Sequence, residues 1–188
     1  MVAPAARRYT YREYLELEKR SERKHEFLGG RIFAMSGGTP EHGRLSARII
    51  ALFEGQLAGR RCVTFTSDVR VYIRGSDIGT YPDVSVVCGK LEHDEADPDA
   101  VTNPKVIVEV LSKSSETYDR EEKFSHYRLI PSLECYVLVS QQERRVEVLS
   151  RNADGTWTLR DVREGEARIG GIDCTLPIEA LYRNPLEP

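Results

Sequence analysis

The chain lacks an apolar run approaching the roughly 20 residues of a membrane span, a C-x-x-C pair, an excess of positive charge, internal repeats and low-complexity tracts. Each absence removes a class of protein. Without a long apolar run, no membrane-crossing helix is expected, and Met1 to Arg8, short of apolar residues and ending in two arginines, fits neither a signal peptide nor a membrane anchor. The four cysteines, Cys62, Cys88, Cys135 and Cys174, are widely scattered and form no C-x-x-C pair, so reduced thiols in a cytoplasmic protein are the expectation. A formal net charge of −3 gives no global attraction to nucleic acid or anionic membrane, so any nucleic-acid contact must come from a local basic patch.

What is present is the composition of an ordinary globular protein, 188 residues with 40% hydrophobic and 30% charged. That length suits a single domain over 1–188, with 1–8 read as a flexible tail. Thr10-x-x-Glu13 reads as a capping box opening a helix through about Lys19, followed by the basic cluster Lys19, Arg20, Arg23 and Lys24. His25 to Met35 reads as two strands about Gly29-Gly30, and Thr39-Pro40 opens a second helix carrying Leu45, Ile49, Leu52 and Phe53 at helical spacing and ending near Gly59. β-type runs follow at Cys62–Thr66, Val69–Ile73, Val84–Cys88 and Val106–Leu111, while Leu91 to Ala100 reads as an exposed acidic loop. Asp119-x-x-Glu122 reads as the cap of a third helix, with Phe124, Tyr127 and Leu129 near its inner face before Pro131. Glu134–Val139 with Arg145–Ser150 then reads as a hairpin, and Trp157–Val162 as a further strand of a mixed sheet.

The chemistry centres on Lys105 to Leu111, KVIVEVL, where Glu109 interrupts an otherwise apolar strand. A bare ionised carboxylate in apolar surroundings costs several kcal/mol or more, so Glu109 must be paired, protonated or bound to a cation. Asp83, at the head of the run Val84 to Cys88, is the nearest upstream acid that a neighbouring strand could bring to it. Two converging carboxylates repel, and Mg²⁺ or Mn²⁺, which takes oxygen ligands and keeps several waters, holds both ionised. Blander readings remain: Glu109 in a structural ion pair with a buried Arg or Lys, and Asp83 as a turn residue after Pro82. Ser112, Ser114 and Ser115 read as loop polar groups, since no histidine and acid stand at a recognisable nucleophile spacing.

Tyr81-Pro82-Asp83-Val84, Pro104 to Ser112, Asp119 with Lys123 and Tyr127, Cys135 to Val139, His25 to Gly30 and Glu41-His42 together resemble the PD-(D/E)XK nuclease superfamily, and more closely its Uma2 family of restriction-endonuclease-like proteins. The resemblance implies an α/β restriction-endonuclease-like core, a mixed β-sheet flanked by helices, with Asp83 and Glu109 as metal-binding acids and Glu26 as an accessory acid. One departure matters: the superfamily has Glu-x-Lys, whereas this chain has Glu109-Val110-Leu111. Lys113, in a continuing strand, would lie roughly 13 Å from Glu109 at about 3.3 Å per residue. Lys123, on a helix that packs back across the sheet, is preferred as the displaced lysine, against the plainer reading of an i, i+4 pair with Asp119.

His42, near a helix start, either approaches the scissile phosphate or caps and packs; Glu26 is otherwise a surface residue beside a turn. Arg44 and Arg48, one turn apart, are candidates for phosphate contact. The expectation is a Mg²⁺- or Mn²⁺-dependent endonuclease acting on DNA as a homodimer, since cutting two strands with one site per chain suits a two-fold pair. The competing expectations are a catalytically inactive module of the same fold that binds nucleic acid or protein, and a metal-dependent hydrolase of smaller phosphoesters.

Overall fold

Thr10 opens the first helix, α1 (Tyr11–Glu18), in the computed structural model, which describes residues 7–112 and 116–186. The capping box forms: the Glu13 amide donates to the Thr10 hydroxyl, and the Thr10 amide donates to the Glu13 carboxylate at 2.8 Å. Of the expected tail, residues 1–6 lie outside the described residues, while Arg7 pairs with Glu13 at 3.2 Å and Arg8 donates to the Gly29 carbonyl at 3.3 Å.

Strands β1 (His25–Leu28) and β2 (Arg31–Ala34) form the expected hairpin, turned by Gly29 and Gly30 at φ 51° and 92°, a region glycine enters without strain. Helix α2 (Pro40–Leu57) is capped by the Thr39 hydroxyl and buries the stripe Leu45, Ile49, Phe53 and Leu57. Then come β3 (Cys62–Thr66), β4 (Arg70–Ile73), β5 (Ile78–Thr80), β6 (Val84–Cys88), β7 (Ala100–Val101) and β8 (Val106–Leu111). A helix over 116–127 contains a π-helical stretch, Tyr118–Lys123, that runs into α3 (Phe124–Tyr127). Strands β9 (Cys135–Ser140), β10 (Val146–Arg151), β11 (Trp157–Val162), β12 (Glu166–Ile169) and β13 (Cys174–Pro177) precede the short α4 (Ile178–Tyr182).

The central sheet runs β11-β10-β9-β8-β6-β3, antiparallel except for the parallel pair β8–β9, so it is mixed as expected. A smaller sheet, β2-β1-β5-β4-β7, covers part of one face, and β12 pairs with β13. Strand β8 is buried on both faces, which is why its sequence is a near-continuous apolar run rather than an alternation. Val106, Val108 and Val110 pack under α2 with the β12–β13 hairpin and α4, whereas Ile107 and Leu111 pack with Tyr127, Ile130 and the smaller sheet's Val71, Ile73 and Ile78. A third cluster joins α1 to the outer face of the smaller sheet through Tyr11, Tyr14, Leu15 and Phe27.

Several expectations are corrected. Cys62 and Cys88, opposed in the β3–β6 register, form a disulfide, so only Cys135 and Cys174 are free thiols. The acidic stretch from Leu91 is not wholly exposed: Asp97 is buried because Arg70 and Tyr11 bind its carboxylate. Asp119 does not stand at a helix start; it lies buried inside the 116–127 helix, which begins before it. Leu129 is 47% exposed rather than inward. Strands β5, β7, β12 and β13 and helix α4 were not anticipated, being too short for a period to register in the sequence.

Candidate functional site

Antiparallel pairing of β6 with β8 sets Val84 opposite Val108 and thereby brings Asp83, at the entry to β6, beside Glu109. The Val110 amide donates to Asp83 Oδ2 at 2.7 Å, and the Asp83 amide reaches Glu109 Oε2 at 3.4 Å. Alternation along β8 turns Glu109 away from α2 and toward the 116–127 helix, where it is 3% exposed.

That helix delivers Lys123 onto the same face. Its Nζ stands 3.0 Å from Glu109, 3.2 Å from Asp119 and 3.6 Å from Glu26. The Tyr127 hydroxyl, one turn further, donates to Glu109 Oε1 at 2.9 Å, and the Thr80 hydroxyl donates to Glu26 from the neighbouring strand. In the first turn of α2, His42 Nε2 lies 3.0 Å from Asp83 Oδ2. Asp83, Glu109, Lys123, Glu26 and His42 are therefore all brought together. The Lys123–Asp119 pair is also made, as one of three contacts. Lys113, with Ser114 and Ser115, falls outside the described residues. Arg44 does not face the site; it binds Glu41 at 2.6 Å and the carbonyls of Leu181 and Arg183 at 3.3 and 3.2 Å.

Burial pushes the Glu109 carboxyl well above the usual carboxylate range; the Lys123 ammonium opposes that, and the charges of Asp83, Asp119 and Glu26 add to it. Burial alone would lower Lys123, but the surrounding carboxylates outweigh it and keep the ammonium protonated well past the ordinary lysine range. The hydrogen bond to Asp83 lifts His42 above its ordinary value against partial burial. Among the described residues, the carboxylates of the site thus outnumber the one ammonium, Lys123, set among them.

These groups line one cleft of about 630 Å³ whose wall also includes Arg23, Met35 and Gln141. Its donor set fits Mg²⁺ or Mn²⁺: Asp83 and Glu109 offer hard oxygen ligands from adjacent strands, and a cation there would favour the ionised Glu109 against the burial and the neighbouring carboxylates that push it toward protonation. Among the described residues no three His, Cys, Asp or Glu side chains converge as a complete ligand set, so such an ion would fill its shell with water, as Mg²⁺ readily does.

Sequence reasoning did not single out Thr80 or Tyr118, whose ring centroid lies 5.6 Å from Lys123 Nζ in the cleft wall; it placed Asp119 with Lys123 and Tyr127 but gave it no role in the site. Asp119 and Tyr127 stand at i, i+4 either side of Lys123, which hints at a shared helix face; Thr80, in a three-residue strand, left no such sign.

The chain matches the family model Uma2, described as "Putative restriction endonuclease", over residues 11–176. It is 36% identical to one uncharacterized protein of Synechocystis sp. over 91% of this chain and 90% of that one, and 35% identical to a second over 90% and 96%. Its fold is similar to that of a "putative nuclease belonging to DUF820" from Anabaena variabilis, with a TM-score of 0.71 at 18% identity, covering 93% of this chain and 97% of the other. The family model spans most of the chain and leads to one assignment: this chain belongs to the Uma2 family.

Proposed function

We propose that this protein is a Mg²⁺- or Mn²⁺-dependent endonuclease that hydrolyses DNA phosphodiester bonds. The observation that carries this reading is the Lys123 ammonium 3.0 Å from Glu109 in a cleft that Asp83 enters from the adjacent strand. The family description as restriction endonucleases supports the substrate class. Asp83 and Glu109 would hold the ion, which when bound activates water and stabilises charge on the phosphoryl group. Lys123, kept ionised by the carboxylates around it, orients the attacking water and stabilises negative charge as it develops on the phosphate. Glu26, held by Thr80, fixes that ammonium from the far side, and the Tyr127 hydroxyl fixes the Glu109 carboxylate. His42, anchored on Asp83, places an imidazole at the cleft wall within reach of a bound phosphate. Duplex cleavage from one site per chain would be met by a two-fold homodimer.

One feature favours a non-catalytic relative: Lys123 is ringed by Glu109, Asp119 and Glu26 as a purely structural counter-ion would be. Assays on plasmid DNA with Mn²⁺, alongside calorimetric Mn²⁺ titration, separate the readings. Cleavage and Mn²⁺ binding should both vanish in Glu109→Ala, and Mn²⁺ binding should vanish in Asp83→Ala. Cleavage retained by Glu109→Ala would sink the nuclease assignment. Mn²⁺ binding without cleavage of any tested nucleic acid would favour the non-catalytic module, and turnover of small phosphoesters alone would favour the hydrolase.

A further inference from the structure

Phe33 is out of place for a large apolar side chain. It lies on the edge strand β2, directly opposite Glu26 in the β1–β2 register, so both side chains leave the smaller sheet on the same face. On that face Val71, Ile73 and Ile78 are buried and Leu28 is partly buried against the central sheet, but Phe33 is 45% exposed. It stands one strand spacing, about 5 Å, from Glu26, which in turn is 3.6 Å from Lys123. The next residues of the chain, Ala34 and Met35, line the cleft itself.

Arg31, two residues back on the same face of β2, and Arg23, on the cleft rim, are exposed, and neither makes an ion pair among the described residues. Their neighbours Lys19, Arg20 and Lys24 are each bound to a carboxylate. An exposed aromatic flanked by unpaired guanidinium groups at the mouth of an acidic cleft fits one partner: nucleotide bases that stack while the phosphates between them meet arginine.

We propose that Phe33, with Arg31 and Arg23, is a base-stacking platform that holds an unpaired base of a nucleic-acid substrate beside the cleft. Such a platform selects single-stranded, frayed or unwound segments, because a base inside an intact duplex offers no free face. The inference rests on the nuclease reading for its substrate class, and its test is separable from it.

The probe is a 5′-fluorescein-labelled 20-nucleotide oligothymidine, compared with a labelled 20-base-pair duplex, binding the Glu109→Gln protein by fluorescence anisotropy. Phe33→Ala should weaken binding of the single strand about 5- to 150-fold, the size of one base–aromatic stack, weaken the duplex far less, and be rescued by Phe33→Trp. Arg23→Ala and Arg31→Ala should each reduce the salt dependence of binding by roughly one phosphate contact. Unchanged single-strand affinity in Phe33→Ala, or equal losses on strand and duplex, overturns the platform. So does a Phe33→Ala effect confined to the sedimenting mass, which would make the patch an interface between copies of this chain. If cleavage depends on Glu109 while Phe33→Ala binds normally, this inference alone fails; if Phe33→Ala loses binding while Glu109→Ala still cleaves, the assignment of the acids fails and the platform stands.

Discussion

Two buried charge networks flank Tyr81, and they are built on opposite plans. In the first, Arg70 grips Asp97 with two bonds of 2.7 Å, the Tyr11 hydroxyl donates to the same carboxylate at 2.6 Å, and a third Arg70 nitrogen donates to Tyr81 at 2.6 Å. One cation meets one anion, and the fork geometry uses both carboxylate oxygens. In the second, among the described residues, one ammonium, Lys123, serves Glu109, Asp119 and Glu26, with Asp83 adjacent and one side open to a cleft. The first network is closed in charge and in hydrogen bonds, which is what structure requires. Among the described residues the second gathers more carboxylates than ammonium groups at an open wall, an arrangement that folding alone does not call for and that the proposed metal-dependent reading uses.

The sharpest way to break this contrast is to remove one member from each. Arg70→Met strands Asp97 as a buried, unpaired charge and should cost about 3–5 kcal/mol of stability in urea unfolding. Glu109→Gln removes a charge that burial already disfavours, so the protein should stay within about 1 kcal/mol of the parent while Mn²⁺-dependent cleavage is lost. Equal destabilisation by the two changes would erase the distinction.

The same closed pair has a pH signature. Burial works against ionisation of Asp97, but the hydrogen bonds from Arg70 and Tyr11 outweigh it and hold its pKa below the ordinary value of 3.8. A carboxylate with a depressed folded-state pKa contributes stability that is present above its unfolded value and is lost as pH falls through the folded one. Acid unfolding of the parent should therefore steepen below about pH 4, and Asp97→Asn should flatten that limb. An identical acid limb in both proteins would remove Asp97 from the account.

How far the sequence disclosed this contrast depends on where the signal lay. Glu109 was legible because a carboxylate in an apolar strand demands a partner whatever the fold. Asp83 and Lys123 followed from adjacent strands and from a helix returning across the sheet. Asp97 was not legible: within an acidic stretch nothing local distinguishes the one residue that an arginine 27 positions away will bury. The Cys62–Cys88 disulfide was equally hidden, since it depends on the β3–β6 register, which puts the two residues directly opposite. Thr80 and the short strands lacked the length for a period to form. What sequence conveys here is local chemical anomaly; what it withholds is long-range pairing.

Tyr81 sits between the networks and allows a finer cut. Its hydroxyl accepts from Arg70 and donates to Glu18 at 2.8 Å, while the backbone two residues on carries Asp83 into the cleft. Tyr81→Phe should cost about 1.5–3 kcal/mol through the lost bonds to charged partners, yet leave cleavage at the parental rate under conditions where the variant is folded. A loss of rate without a loss of stability would mean that the hydroxyl serves the cleft instead.

The smallest expected effect probes the open network alone. A Cβ added at Gly38 would lie 2.8 Å from His42 Nδ1, closer than unbonded atoms tolerate, while the position itself is exposed. The imidazole can swing aside at little cost to folding, but doing so loosens its 3.0 Å contact with Asp83. Gly38→Ala should thus leave the melting temperature near that of the parent and slow cleavage about tenfold, equivalent to about 1.4 kcal/mol of barrier. An unchanged rate would remove His42 from the working site and reduce the open network to Asp83, Glu109, Lys123 and the groups that hold them.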